Sequence, residues 1–236
     1  HALPGSKLNV YEYFDGGAEK QSAGRIGIRN CVLAERGARV KLVQIFLAGG
    51  RAEVLNDIGA KLEDDATLEV DQIFLGGKNT VSGTLAELQG RRSAFVSNIA
   101  YDVEEREKLD LNVIARHAGK KTEAQIDVKG VLRKGSHKLL RATVDFLTGC
   151  SGSVGKENEE VLAPVDGSSQ ANRLQVLASF CDKLQNYGTK AKMSNLPWTL
   201  EQLGHVFDAI PLMNQLDNML QVVDELRTRI SYLVQA

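Results

Sequence analysis

The chain has 236 residues, of which 43% are hydrophobic and 25% are charged, and its formal net charge is −1. Such values are ordinary for a soluble globular protein, and the near-zero charge excludes a broad basic field for nucleic acid or anionic lipid. The longest apolar runs, such as Ile45-Phe46-Leu47-Ala48, are far shorter than the roughly 20 residues that cross a bilayer, so we expect no membrane span.

Three cysteines lie far apart in the sequence, at Cys31, Cys150 and Cys181, and no CxxC pair is present. An odd and sparse count argues against a disulfide framework and predicts a reducing, cytoplasmic compartment. Without a CxxC pair, a zinc site or a four-cysteine cluster site within this one chain is not expected. We therefore predict no stably bound cofactor, and the sequence assigns no metal ligands.

The first two-thirds of the chain carries an internal repeat. The segment 44–51 recurs as 72–78, with Gln, Ile, Phe and Leu in the same order 28 residues later, and weaker copies follow around Leu88 and Leu132. In each copy an apolar residue precedes a polar turn, a small residue and a strand of alternating polarity. Alternation with a period of two predicts strands with one buried face.

A period in the twenties is typical of the coils of a solenoid or the hairpins of a sandwich. The Gly49-Gly50 and Gly76-Gly77 pairs could serve as hairpin turns, so the sandwich stays open. The sequence favours a β-solenoid, in which equivalent apolar residues stack into internal ladders. The predicted ladders are Leu33 with Leu62, Leu88 and Leu132, and Ile45 with Ile73.

The pattern becomes helical after Pro164, which predicts a β core over 1–163 and a helical region over 164–236. Apolar residues in the last segment alternate spacings of four and three, as in a heptad repeat. This face is predicted either to pack on its own domain or to bind a partner. It consists of Leu212, Leu216, Met219, Val223, Leu226, Ile230 and Leu233.

Few residues have a pattern typical of chemistry. Cys150 stands in a polar, glycine-rich stretch that would leave its thiol accessible, and His117 ends a predicted strand. These two are candidate cofactor ligands, although an incidental loop cysteine and a structural histidine are the alternatives. No nucleophile is placed beside a base, and the carboxylates around Asp57 and Asp64 lack the spacing of a glycosidase pair. We therefore expect no enzyme activity in the isolated chain, and we expect Cys31 to lie in the core.

Residues 8–162 resemble the core of SufD-type proteins in the SufB/SufD family. The segments that carry the resemblance are 11–14, 38–44, 56–59, 90–95, 127–132 and 149–161. The resemblance implies a right-handed parallel β-helix and a cytoplasmic, non-catalytic scaffold for iron–sulfur cluster assembly. It also implies pairing through the β-helix with a SufB-like subunit or with itself, recruitment of a SufC-type ATPase, and at most a transient cluster.

The chain departs from the family after Val161. There the family continues into a segment with a His-Gly-Ala motif, which has no counterpart here, so no family site residue is carried over. The departure and the heptad pattern support an alternative hypothesis. It is a structural adaptor that fuses a β-solenoid to a helical interaction module, with no role in iron–sulfur chemistry.

Overall fold

The computed structural model describes residues 1–15, 23–48 and 51–162. Within these ranges the chain forms eleven strands and no helix, so none of them contains a helix able to span a membrane. The predicted boundary at 163/164 and the predicted C-terminal helices lie outside these residues. The strands are β1 (Lys7–Asp15), β2 (Arg25–Ala34), β3 (Arg39–Leu47), β4 (Glu53–Leu62), β5 (Thr67–Leu75), β6 (Asn79–Leu88), β7 (Ala94–Val103), β8 (Lys108–His117), β9 (Glu123–Leu132), β10 (His137–Phe146) and β11 (Val154–Leu162).

The described strands alternate between two sheets along the chain. The odd-numbered strands form one sheet in the order β1-β3-β5-β7-β9-β11, and the even-numbered strands form the other in the order β10-β8-β6-β4-β2. Every pairing is parallel. Each coil thus gives one strand to each sheet, and the chain is a parallel β-solenoid of about five turns. Parallel pairing excludes hairpins for these strands, so the solenoid prediction is confirmed.

The repeat seen in the sequence is the repeat of the coils. Gln44 pairs with Gln72 and Phe46 pairs with Phe74 in the β3–β5 ladder, at the predicted offset. Phe46 is 0% exposed and its ring lies between two others. Its centroid is 4.9 Å from that of Phe14 and 4.9 Å from that of Phe74, with near-parallel planes. Tyr101 follows in register after Phe74, so the coils share an aromatic ladder in the core.

The leucine ladder is confirmed at two positions and wrong at the other two. Leu62 pairs with Leu88, and both are buried. Leu33 instead pairs with Lys61 and is 40% exposed, because Ala34 takes the inward position beside Leu62. The apolar run Cys31-Val32-Leu33-Ala34 has no alternation, so the sequence could not say which residues face inward.

Leu132 is the second wrong ladder position, and two further expectations also need correction. Leu132 lies in β9, where it pairs with Val103 in the odd-numbered sheet rather than joining the leucines of the even-numbered sheet. Ile45 and Ile73 do pair, yet neither belongs to the core cluster, because Phe46 and Phe74 take the inward places beside them. Cys31 is exposed rather than buried.

The bends that lead into the odd-numbered strands share one backbone conformation. Each has a residue with positive φ, including Gly37 (68°), Asp65 (59°), Arg92 (58°) and Lys121 (56°). The N–H of this residue donates to a carbonyl in the bend of the next coil, as Asp65 does to Arg91 at 2.8 Å and Arg92 to Lys120 at 3.0 Å. The bends are therefore joined by their own ladder of hydrogen bonds, continuous with the two sheets.

Candidate functional site

His117 lies at the end of β8 and is 0% exposed. Its Nδ1 is 2.6 Å from Thr122 Oγ1, and the Thr122 hydroxyl lies 2.8 Å from Ser153 Oγ. The Ser153 hydroxyl donates to the Gly119 carbonyl at 3.2 Å. Because a carbonyl can only accept, the last hydroxyl in this series of hydrogen bonds must be a donor. The Thr122 hydroxyl therefore donates to Ser153, and His117 donates to Thr122 with its proton on Nδ1. Nε2 has no hydrogen-bond partner within the described ranges.

The surroundings of His117 favour its neutral form. Burial lowers the pKa of His117, and the nearby Asp145 carboxylate opposes this only in part. The imidazole also stacks on Phe146, with a centroid distance of 4.6 Å. A buried, stacked and neutral imidazole of this kind stabilises the bend between two coils, which is the structural alternative raised from the sequence.

Cys150 lies in the bend between β10 and β11, and its thiol is free and half-buried. Its N–H donates to the Leu147 carbonyl at 3.2 Å, and its carbonyl accepts from the N–H of Ser153 at 3.2 Å. The bends after His117 and before Ser153 are adjacent, so both candidate ligands lie on the same side of the solenoid. The described residues contain no group of three or more His, Cys, Asp or Glu placed to hold a metal ion. A cofactor role for Cys150 and His117 therefore stays a prediction.

The predicted partner-binding face lies outside the described residues. This applies to Leu212, Leu216, Met219, Val223, Leu226, Ile230 and Leu233 alike.

A polar network that the sequence analysis missed lies inside the solenoid. Gln44 and Gln72 point inward from adjacent strands, and Gln72 donates to the Gln44 amide oxygen at 2.9 Å. Asn56 of the opposite sheet donates to Gln44 at 2.9 Å and to Ser82 at 3.0 Å, while Gln44 donates to the Glu12 carboxylate at 2.7 Å. The sequence feature that could have indicated this network is a glutamine at the same position in both copies of the repeat. These bonds fix the two sheets relative to each other and activate no nucleophile.

The odd-numbered sheet carries ion pairs on the side away from the core. Lys41 Nζ lies 2.7 Å from Glu69 and 2.9 Å from Asp71. Burial would lower the pKa of Lys41, but the two carboxylates outweigh burial and raise it. Arg133 makes two contacts with the buried Asp102 carboxylate, at 3.2 and 2.7 Å. Each pair joins neighbouring coils, so these contacts stabilise the stacking.

The C-terminal end of the described solenoid is acidic. β10 and β11 are the last strands of the two sheets, and β11 carries three glutamates and one lysine. Glu159 forms an ion pair with Lys138 of β10, whose Nζ lies 5.9 Å from the centroid of the Tyr101 ring. Burial, with a smaller effect from Glu159, raises the pKa of Tyr101. Within the described residues, β10 and β11 each have one edge that pairs with no other strand.

Comparison with known families gives two matches. The model of the SufBD core domain, described as SUF system FeS cluster assembly, matches residues 1–172 and thus covers all of the described strands. The model of the fifth domain of a family of unknown function, DUF6079, matches residues 111–236. The two matches overlap over 111–172. No curated protein matches the chain.

Proposed function

Because this chain belongs to the SufBD core domain family of the SUF system, and through residues 111–236 also to the DUF6079 fifth-domain family, we propose that it is a SufD-like scaffold subunit. In this proposal it is non-catalytic alone, works in the cytoplasm, and pairs with a SufB-like chain and a SufC-type ATPase. The observation that carries the proposal is the family match over the whole described solenoid.

The geometry supports a scaffold rather than an isolated catalyst. The interior is filled by an aromatic ladder and by amides that bond to one another. Within the described part of the chain, the last strand of each sheet has one edge without a strand partner, which suits assembly with another solenoid. The sequence has three widely spaced cysteines and no CxxC pair, which supports a SufD-like role beside a partner that supplies cluster ligands. The cluster is then cargo of the complex rather than a resident cofactor.

Co-expression with a SufB-like chain and a SufC-type ATPase tests this proposal. We expect the tagged 236-residue chain to retain both partners through affinity purification and gel filtration, in fixed stoichiometry. A tagged protein of unrelated fold, expressed with the same two partners, is the control for non-specific capture. Recovery of the chain without either partner would count against the scaffold role.

A second candidate function is the structural adaptor without iron. It is favoured by the missing His-Gly-Ala motif and by the match of residues 111–236 to a domain of unknown function. Anaerobic reconstitution of the purified complex with iron and sulfide separates the two candidates. A scaffold complex develops the broad visible absorption of an iron–sulfur cluster, whereas an adaptor complex stays colourless.

A further inference from the structure

The edge strand β11 is unusually rich in charged residues, with three glutamates and one lysine among its nine residues. Its sequence is Val-Gly-Lys-Glu-Asn-Glu-Glu-Val-Leu, and one of its sides is paired with β9. Within the described part of the chain its other side has no strand partner. Unpaired N–H and C=O groups on an edge strand accept a further strand, so the side chains of β11 decide which strand can join.

Two glutamates of β11 stand on the core-facing side of the sheet. Glu157 pairs with Ile126 and Glu159 pairs with Val128, and both of these β9 residues are fully buried. Glu159 forms an ion pair with Lys138, whereas Glu157 has no ion-pair partner within the described ranges. The next strand added to this sheet would therefore face a negative charge where earlier strands face an apolar residue.

A second copy of the chain fits this edge poorly. Two copies related by a two-fold axis through the sheet would pair β11 antiparallel to itself. If the pairing is centred on Asn158, Glu157 of each copy lies opposite Glu159 of the other, which gives two pairs of like charges. If it is centred on Glu157, Glu159 or Glu160, that glutamate lies opposite its own equivalent. Like charges directly opposite each other destabilise a strand pair, so each of these registers is disfavoured.

We propose that β11 is a charge-selective edge, which excludes a second copy and accepts a strand with Lys or Arg opposite Glu157 and Glu159. The inference rests on the proposed scaffold function and specifies the chemistry of the paired chain. Opposite charges placed directly across a strand pair stabilise it, and they fix the register as well as the choice of partner.

A single substitution in β11 should replace the repulsion between two copies of the chain by attraction. In the register centred on Asn158, Glu157→Lys places a positive charge opposite Glu159 of the second copy, while Lys156 already faces Glu160. We expect self-association of this variant of the 236-residue chain to be at least roughly tenfold tighter than that of the wild type, measured by sedimentation equilibrium at low salt. Raising the salt concentration should reduce the gain. Glu157→Gln, which only removes the repulsion, should give a smaller gain in the same direction.

Two further variants make the test specific to β11. The double variant Glu157→Lys/Glu160→Lys places Lys156 opposite a lysine, so it should return to the wild-type association. Glu105→Lys makes the same charge change in an exposed bend and should leave association unchanged. The proposal is overturned if Glu157→Lys associates no more tightly than the wild type, or if Glu105→Lys gives the same gain. Since this readout needs no partner chain, its failure is distinguishable from a failed co-purification.

Discussion

The His117 imidazole shows how one residue next to a bend makes the stability of the protein depend on pH. It is buried, stacked on Phe146 and hydrogen-bonded to Thr122, and its pKa is lowered by burial. In the unfolded chain the imidazole returns to its ordinary pKa of about 6.5, so the unfolded state binds the proton more readily. The stability that this residue contributes is therefore complete above that value and falls as the pH drops toward the lower pKa of the folded protein.

We predict that the free energy of unfolding decreases between about pH 7.5 and about pH 5.5, and that part of this decrease disappears in the His117→Gln variant. Glutamine can still bond to Thr122 but does not titrate. Urea unfolding of both proteins at several pH values measures the difference in slope. An equal loss in wild type and variant would show that other groups cause the pH dependence.

At the scale of the element, the bends show where glycine lowers the conformational cost of a position that Asp65, Arg92 and Lys121 occupy in other coils. Gly37 has a φ of 68°, and an added Cβ there would meet no atom closer than 3.9 Å, so the advantage of glycine at this position is conformational rather than steric. Gly59 lies in β4 with ordinary strand geometry, and an added Cβ would meet nothing within 4 Å. The two positions differ mainly in backbone conformation, which makes them a matched pair.

We predict that Gly37→Ala destabilises the protein by about 1–2 kcal/mol, the cost of the left-handed conformation for an L-residue. Gly59→Ala should be neutral or stabilise by up to about 1 kcal/mol, because alanine lowers the entropy of the unfolded chain. Thermal or urea unfolding of the two variants measures both effects. Equal effects at the two positions would refute the conformational argument.

Strands were predictable from the sequence where their polarity alternates. In β5, Leu68 and Val70 alternate with polar residues, and both proved to be buried. In β2 the run around Leu33 is apolar on both faces, so its register depends on the neighbouring coil and could not be read locally. The acidic edge at Glu157 could not be predicted from the sequence, because its importance depends on which described strand ends the sheet.

At the scale of the whole molecule, the aromatic ladder joins successive coils. Phe46 lies between Phe14 and Phe74, so its side chain contacts the coil on either side. In a solenoid each coil is stabilised mainly by its neighbours, and such contacts carry the cooperativity of unfolding. The ladder also explains the 28-residue repeat in the sequence, because Phe46 and Phe74 are 28 residues apart and stack in adjacent coils.

We predict that Phe46→Ala destabilises the solenoid by about 3–5 kcal/mol, as expected for removal of a buried aromatic side chain. Leu55→Ala is the control, because Leu55 is 59% exposed and its truncation should change stability by no more than about 0.5 kcal/mol. Urea unfolding followed by circular dichroism compares them. A similar loss for both variants would contradict a stabilising role for the stacking of Phe46 between its two neighbours.

The solenoid itself was predictable because one motif recurs with matching glutamine and phenylalanine positions. The candidate site was less predictable. The sequence indicated His117 and Cys150 by residue type alone. Thr122, the partner of His117, comes from the bend after β8, and Ser153, the partner of Thr122, comes from the following coil. Contacts between coils depend on where each bend falls, and single-residue patterns do not carry that information.

The hydrogen-bonded bends give the molecule a natural unit of growth. Arg39, Thr67, Ala94 and Glu123 start equivalent strands, and each is separated from the next by nearly the same length of chain. Removal or duplication of one whole such length would leave every remaining turn facing another turn of the same shape. An insertion or deletion of a few residues within a strand would instead disturb the hydrogen bonds of both sheets and of the bends. Proteins with this fold are therefore expected to evolve in length by whole coils.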